Sequence, residues 1–233
     1  RSWAISQNVL LGGRDADGND LTNETTYAIL DAYFDMNLPQ PILSAKLHKK
    51  TPERFYRELG RFFFSPGVLT PSLFNDDALF GVLRKHGIAC EDLADYSVAG
   101  CQEPLIMGKD SGNTTNSWLN LPKILELAMT GGVSAVTGRR LVDCPACDGK
   151  DVRAAFYALL ETALDAMVET ANGCSVALSS LKVPFLSAFM GGLESGADMR
   201  DTSRQGTRYN GSGCLVHGLT VLADSFVAID HYL

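Results

Sequence analysis

Asp95-Tyr96-Ser97-Val98-Ala99-Gly100-Cys101-Gln102-Glu103-Pro104 is the stretch around which this chain is organised. Tyr96 to Gly100 reads as a short buried strand of small and β-preferring side chains. Cys101 follows a glycine, and Pro104 is expected to end regular structure just beyond it. A thiol and a carboxylate are thereby presented together at the mouth of a strand, one residue apart. A metal site calls for more ligands close by, and a nucleophilic thiolate calls for a nearby histidine. The stretch holds neither. The pairing suits chemistry in which sulfur moves a hydrogen atom while the carboxylate moves a proton.

Upstream, Trp3 to Leu11 alternates as a strand does and runs into Gly12-Gly13. Asp15 to Asp20 has the look of a calcium loop but lacks its glycine and its final glutamate, so a plain turn is expected. Helical spacing over Thr22 to Asp35, a strand over Ile42 to His48 and a helix from Thr51-Pro52-Glu53 to about Phe64 follow. Thr51 is expected to be the N-cap of that helix, with proline in its first turn. Leu69 to Asn75 reads as a strand and Asp76 to Lys85 as a helix. Downstream, helices are expected over Ser117 to Met129, Val152 to about Thr170 with Asp151 as cap, Val183 to Ser195, and Val216 to Leu233. Strands alternating with helices of this length predict an α/β fold with a largely parallel sheet or barrel. Ligand sites in such folds lie at the carboxyl ends of strands, which is where Cys101 falls.

The 233 residues are 45% hydrophobic and 20% charged with a net charge of −7, so the chain can bury a sizeable core and is a poor candidate for nucleic-acid binding. No apolar run reaches membrane-spanning length. Six cysteines in otherwise ordinary globular sequence are expected to be reduced, in a cytoplasmic protein. Cys144-Pro-Ala-Cys147 could be half a zinc site or a redox pair, but no second CxxC or spaced histidine pair accompanies it, and an exposed loop is the simpler reading. His48, His86, His217 and His231 form no ligand-spaced pair, and no metal is expected. His86 falls at a helix C-terminus. Gly211-Ser212-Gly213 reads as a tight turn. Asn113, Thr114, Thr115 and Asn116, ahead of Ser117, offer more hydrogen-bonding groups than one helix cap needs and suit the lining of a pocket for a polar small molecule.

Taken together, these residues resemble the glycyl radical enzymes, in their dehydratase and lyase branch. Gly100-Cys101-Gln102-Glu103-Pro104 matches the GCxEP loop of that branch. The likeness continues in order through Gly12-Gly13 with Asp15, Gly18, Asp20 and Thr22-Asn23-Glu24, then Leu38-Pro39-Gln40-Pro41, Leu43-Ser44 and His48. It extends through Asn75-Asp76, Asn120, Leu125 to Ala128, Pro184 to Ser187, Asp201-Thr202, Gly206, Tyr209-Asn210, His217-Gly218 and Ala223 to Ser225.

The resemblance implies part of a ten-stranded α/β barrel. Residues 1–233 would be the central segment of a single barrel domain, lacking N- and C-terminal parts and inactive alone. It implies a glycyl radical on a residue outside this segment, since the family's RVxGY-type motif is not among these residues. A radical S-adenosylmethionine [4Fe-4S] activating enzyme would install that radical, and the enzyme would be a homodimer of an anaerobic bacterium or archaeon. Carried over, Cys101 forms the thiyl radical that takes a hydrogen atom from a small polar substrate. Glu103 is the general base that assists loss of water, an amine or sulfite. Gln7, Asn113, Thr114, Thr115 and Asn116 would contact substrate. The position near Gln7 is often aromatic in relatives, and the polar run here lacks the carboxylate that diol dehydratases carry, which points away from glycerol or propanediol. The residues by themselves leave two rivals open: a thiolate acyltransferase or hydrolase pairing Cys101 with His48 or His217, and a metal-stabilised binding module around Cys144 and Cys147.

Overall fold

The computed structural model describes residues 8–37, 40–67, 70–100, 102–111, 116–144, 151–210 and 213–232. In chain order these form β1 (Asn8–Gly12), α1 (Glu24–Met36), β2 (Ile42–Leu47), α2 (Glu53–Phe63), β3 (Ser72–Asn75) and α3 (Asp76–Lys85). A 3₁₀ turn over Cys90–Asp95 leads to β4 (Tyr96–Ala99), β5 (Glu103–Ile106), β6 (Ser117–Asn120), α4 (Leu121–Met129) and α5 (Val152–Ser179). The chain continues as α6 (Pro184–Phe189), α7 (Gly192–Ser195), β7 (Cys214–His217) and α8 (Leu219–Tyr232). Contacts divide these elements between two compact units.

The first unit is built on a parallel sheet in the order β1-β2-β3, with Leu11 opposite Ala45 and Lys46 opposite Phe74. Side chains alternate across the sheet. Leu11, Leu43 and Ala45 face α1 and α2, closing a core with Leu30, Phe55, Leu59 and Phe62. The other face carries Leu10 and Phe74 into a second cluster with Tyr96, Val98 and Ile106 of the β4–β5 hairpin. A central strand covered on both faces explains why β2 is buried from Leu43 through Lys46. At the end of β1 a side chain is excluded: a Cβ on Gly12, at φ +72, would stand 2.7 Å from the Lys46 carbonyl oxygen. Asp15 to Asn19 is a turn, as expected, closed by Asn19 N–H donating to Asp15 Oδ1 at 2.8 Å. His86 sits at the C-cap of α3.

In the second unit β6 and β7 are parallel, and α4, α5 and α8 enclose a core of Leu119, Leu125, Phe156, Leu222 and Phe226. The described Cys90, Cys144, Cys174 and Cys214 are free thiols.

Five expectations are corrected. Pro52, not Thr51, is the N-cap of α2, and the Thr51 hydroxyl accepts from His48 N–H instead. Ser117 to Asn120 is a strand, and the helix begins only at Leu121: proline is tolerated in a first turn, and Pro122 with the Asn120 cap places that turn. Asp151 precedes α5 without a side-chain cap bond, and the helix runs on to Ser179. It passes through Gly173, whose cost inside a helix is only about 1 kcal/mol. The Val183 to Ser195 helix is broken into α6 and α7 by Gly191 at φ +93. Finally, α8 starts after β7 and Gly218, not at Val216.

Candidate active site at the hairpin tip

The key stretch is a hairpin. β4 and β5 pair antiparallel, Ala99 opposite Glu103 and Val98 opposite Pro104, with residues 100–102 as the connection. Pro104 therefore lies inside a strand instead of ending one. The cause is visible in the ladder. Met107 N–H donates to the Asp95 carbonyl, and bonded and non-bonded pairs alternate from there. Val98 and Pro104 thus fall at a non-bonded pair, where the missing proline N–H would have pointed away from β4.

The same alternation turns the carbonyls of Tyr96 and Val98, and of Gly100 beyond them, away from β5. Side chains supply their donors. Lys46 Nζ donates to Tyr96 O at 3.0 Å. Asn8 Nδ2 donates to Val98 O at 2.9 Å and to Gly100 O at 2.8 Å. At the tip the half-buried Glu103 folds back, and its Oε2 accepts from Gln102 N–H at 2.9 Å. Gly100 has φ +56, and a Cβ there would stand 2.7 Å from Glu103 Oε2. Glycine suits the positive φ and lets the carboxylate lie there without shifting.

Of the expected site residues, Cys101, Gln7, Asn113, Thr114 and Thr115 lie outside the described residues, as does Cys147. Asn116 is described, in the second unit. Its backbone N–H donates to Gly213 O at 3.0 Å and its Nδ2 to Ser175 Oγ at 3.2 Å. It precedes a strand, and Asn120 is the residue that caps the helix. The histidines of the thiolate reading are engaged elsewhere. His48 is buried against Asp20 Oδ1 at 3.0 Å, and the His217 ring stacks on Trp118 at 4.9 Å. Cys144 Sγ lies 3.6 Å from the Leu127 carbonyl. Among the described residues, no group of three or more His, Cys, Asp or Glu side chains could hold a metal ion.

Two ionic networks hold the hairpin, and sequence reading missed both. Beneath β4, Tyr96 Oη donates to Asp76 Oδ1 at 2.9 Å, while Lys46 Nζ lies 3.9 Å from Asp76 Oδ2 and 3.9 Å from the Tyr96 ring centre. Asp76 is fully buried and Lys46 nearly so. Burial pushes the Asp76 carboxyl up and the Lys46 ammonium down, each against the pull of the other. Burial and the neighbouring carboxylate also raise the Tyr96 phenol.

At the hairpin root, Lys109 bridges Asp92 at 2.6 Å and Asp95 at 2.9 Å, tying the segment after β5 to the turn before β4. Buried Asp92 also accepts from Tyr209 Oη and faces Arg208 at 3.1 Å. Burial alone would raise the Asp92 carboxyl, but Lys109, Tyr209 and Arg208 together hold it below its usual range. A cleft of about 600 Å³ opens beside this root, lined by Lys109, Phe189, Leu193, Glu194 and Arg208 among others. One signal in the sequence could have pointed to the first network: a lysine in the largely apolar strand Ile-Leu-Ser-Ala-Lys-Leu.

Residues 1–233 match the family model described as PFL-like, Pyruvate formate lyase-like. The chain is 32% identical over 231 residues to the (2S)-3-sulfopropanediol dehydratase of Klebsiella oxytoca, covering 96% of this chain and 27% of that enzyme. Its structure is similar to hydroxyproline dehydratase from Clostridioides difficile with trans-4-hydroxy-L-proline bound, at TM-score 0.83 and 26% identity over 97% of this chain and 29% of that one. A glycyl radical enzyme from Archaeoglobus fulgidus superposes at TM-score 0.81 and 29% identity, over 97% and 29% of the two chains. The chain thus spans less than a third of the length of each. With a match along its whole length, a parallel α/β framework and a GCxEP hairpin, this chain belongs to the pyruvate formate lyase-like family and forms a segment of the α/β barrel of its glycyl radical enzymes.

Proposed function

We propose that this chain is the thiol-and-base segment of a glycyl radical lyase or dehydratase acting on a small polar substrate. One observation carries the proposal: Glu103 Oε2 accepts from Gln102 N–H and lies over Gly100, so the carboxylate is held at the connection whose sequence carries the thiol. The exposed side chains of Gln102 and Pro104 leave that tip accessible to a second loop carrying the radical glycine. A glycyl radical installed by a radical S-adenosylmethionine [4Fe-4S] activating enzyme supplies a hydrogen-atom acceptor for the thiol. Cys101, as the thiyl radical, then takes a hydrogen atom from the substrate carbon that bears a hydroxyl. Glu103 takes the proton of that hydroxyl, and the electron density released breaks the neighbouring bond, expelling an amine, sulfite, or a hydroxide that leaves as water by taking up the proton held on Glu103. Cys101 returns a hydrogen atom to the product radical, leaving a carbonyl compound. Gln7 and the run Asn113 to Asn116 bind the substrate through neutral hydrogen bonds, which favours a neutral or anionic substrate over a cation or a triol.

The test uses the complete chain, activated without oxygen and offered a panel of hydroxylated sulfonates, amino acids and diols. Cys101→Ala should abolish turnover and keep the glycyl radical signal in spin resonance. Glu103→Gln should retain hydrogen abstraction and block elimination. Normal turnover in either variant refutes the role assigned to that residue. Efficient turnover of glycerol or choline, untouched by Thr114→Val and Asn116→Ala, would leave the polar run without a part in binding.

A further inference from the structure

We infer that Asn8 is a positioning residue for hydrogen-atom transfer, an assignment that rests on the proposed radical chemistry. Residue 101 hangs between two peptide units. The oxygen of the first is Gly100 O, which accepts from Asn8 Nδ2 at 2.8 Å. The N–H of the second is that of Gln102, which donates to Glu103 Oε2 at 2.9 Å. A peptide unit is planar, so holding its oxygen or its N–H restrains the whole plane. One side chain therefore restrains the backbone on each side of the thiol-bearing residue, and the two come from strands 95 positions apart in the chain, β1 and β5.

The chemistry of Asn8 suits this task. Its amide nitrogen has two hydrogens, and both are used, on Val98 O and Gly100 O. A flipped amide would set its oxygen against two carbonyl oxygens, so the network fixes its orientation. The consequence is an Asn8 Oδ1 that is buried with no hydrogen-bond partner among the described residues. An aspartate would have the same shape, no donor, and a charge facing both carbonyls. Hydrogen-atom transfer depends steeply on the placement of the reacting atoms, and a small displacement costs about a hundredfold in rate.

The test compares wild type, Asn8→Asp and Asn8→Ala in the complete, activated chain. Radical spins per protomer, thermal midpoint, kcat, KM and the isotope effect with substrate deuterated at the abstracted position are measured together. In both variants kcat per spin should fall about ten- to a hundredfold, with the larger loss in Asn8→Asp. KM and spin yield should hold within about twofold, and the isotope effect should rise as hydrogen transfer becomes limiting. Asn8→Ala, which brings no repulsion, provides the reading if Asn8→Asp does not fold. A kcat per spin within about twofold of wild type overturns the assignment. So does a loss that merely tracks folded fraction or spin yield with an unchanged isotope effect. Failure of the parent proposal looks different: wild type that carries spins and turns over nothing on the panel sinks the radical lyase, and this inference with it.

Discussion

Removing the Lys46 ammonium while keeping its stem, as in Lys46→Met, probes what supports the hairpin. Lys46 is 4% exposed and Asp76 0%, so neither charge has water to fall back on. At their 3.9 Å separation two unit charges attract by about 4 kcal/mol at an effective dielectric near 20. That gain offsets the burial that pushes Asp76 up and Lys46 down. Without the ammonium, the Tyr96 hydroxyl still donates to Asp76, but Tyr96 O loses the donation from Lys46. Breaking such a buried pair costs about 3–5 kcal/mol.

The electrostatic part has a ceiling: protonating a carboxyl of usual pKa 3.8 at pH 7 costs about 4 kcal/mol. Hydrogen exchange of the β2 and β4 amides reads the effect directly, and 3–5 kcal/mol corresponds to opening about a hundred to a few thousand times more often. Asp76→Asn should cost a similar amount, since it strands the ammonium. The double variant should cost far less than the two together, because no buried charge is left. The sign with pH follows from a raised carboxyl. Asp76 contributes stability below its usual value and loses it as pH rises through its folded value, so Lys46→Met should recover toward wild type as pH falls from 7 toward 4. Strict additivity of the single variants, or unchanged exchange in Lys46→Met, would show that the pair is not coupled.

Two further perturbations act on the tip and the root. Gly100→Ala places a methyl group 2.7 Å from Glu103 Oε2 at φ +56. Left-handed strain of about 1–2 kcal/mol and displacement of the carboxylate should together cut kcat at least about tenfold with spin yield intact, and a wild-type kcat would mean that the carboxylate can move freely. Asp92→Asn removes the buried charge shared by Lys109, Arg208 and Tyr209 and should destabilise the chain by about 1.5–3 kcal/mol at neutral pH, since the cations left behind are partly exposed and keep Asp95 and Glu91. Because the Asp92 carboxyl is held low, its stabilisation is present above the usual 3.8 and lost as pH falls through its folded value. The gap in thermal midpoint between wild type and Asp92→Asn should therefore close in acid, and a gap independent of pH would refute the linkage.

What could be read from sequence was what neighbouring residues decide among themselves. α3 spans Asp76–Lys85, as expected, with His86 at its C-terminus. β2 lies where a strand over Ile42 to His48 was expected, one residue shorter. Pro122 carried a boundary that amphipathic spacing concealed, since an apolar pattern continues from β6 into α4 without a change of composition. Pro104 misled for a complementary reason. Whether proline breaks a strand depends on which way its absent N–H would point, and that is set by pairing with β4 rather than by the proline itself. The GCxEP residues marked the site, but not the side chains that support it. Asn8 and Gly100 are separated by 92 positions and Lys46 and Tyr96 by 50, and no local pattern registers such a pair.

Those supports share one geometric origin. A two-stranded hairpin leaves each strand with an unpaired edge, and buried carbonyls on that edge need donors. On β4 and just beyond it the unpaired carbonyls belong to Tyr96, Val98 and Gly100, and the donors come from Lys46 on β2 and Asn8 on β1. A third backbone strand could have satisfied the same carbonyls, but it would have propagated its own register and twist up to the tip. Side chains reaching across from the parallel sheet satisfy the edge one carbonyl at a time, and leave the connection free to follow the left-handed turn at Gly100. The hairpin is thereby tied to a sheet whose opposite face is sealed by α1 and α2. Polar groups that would be a liability in a hydrophobic core are thus placed where the fold requires donors, along the unpaired edge of the hairpin that carries the residues proposed for the chemistry.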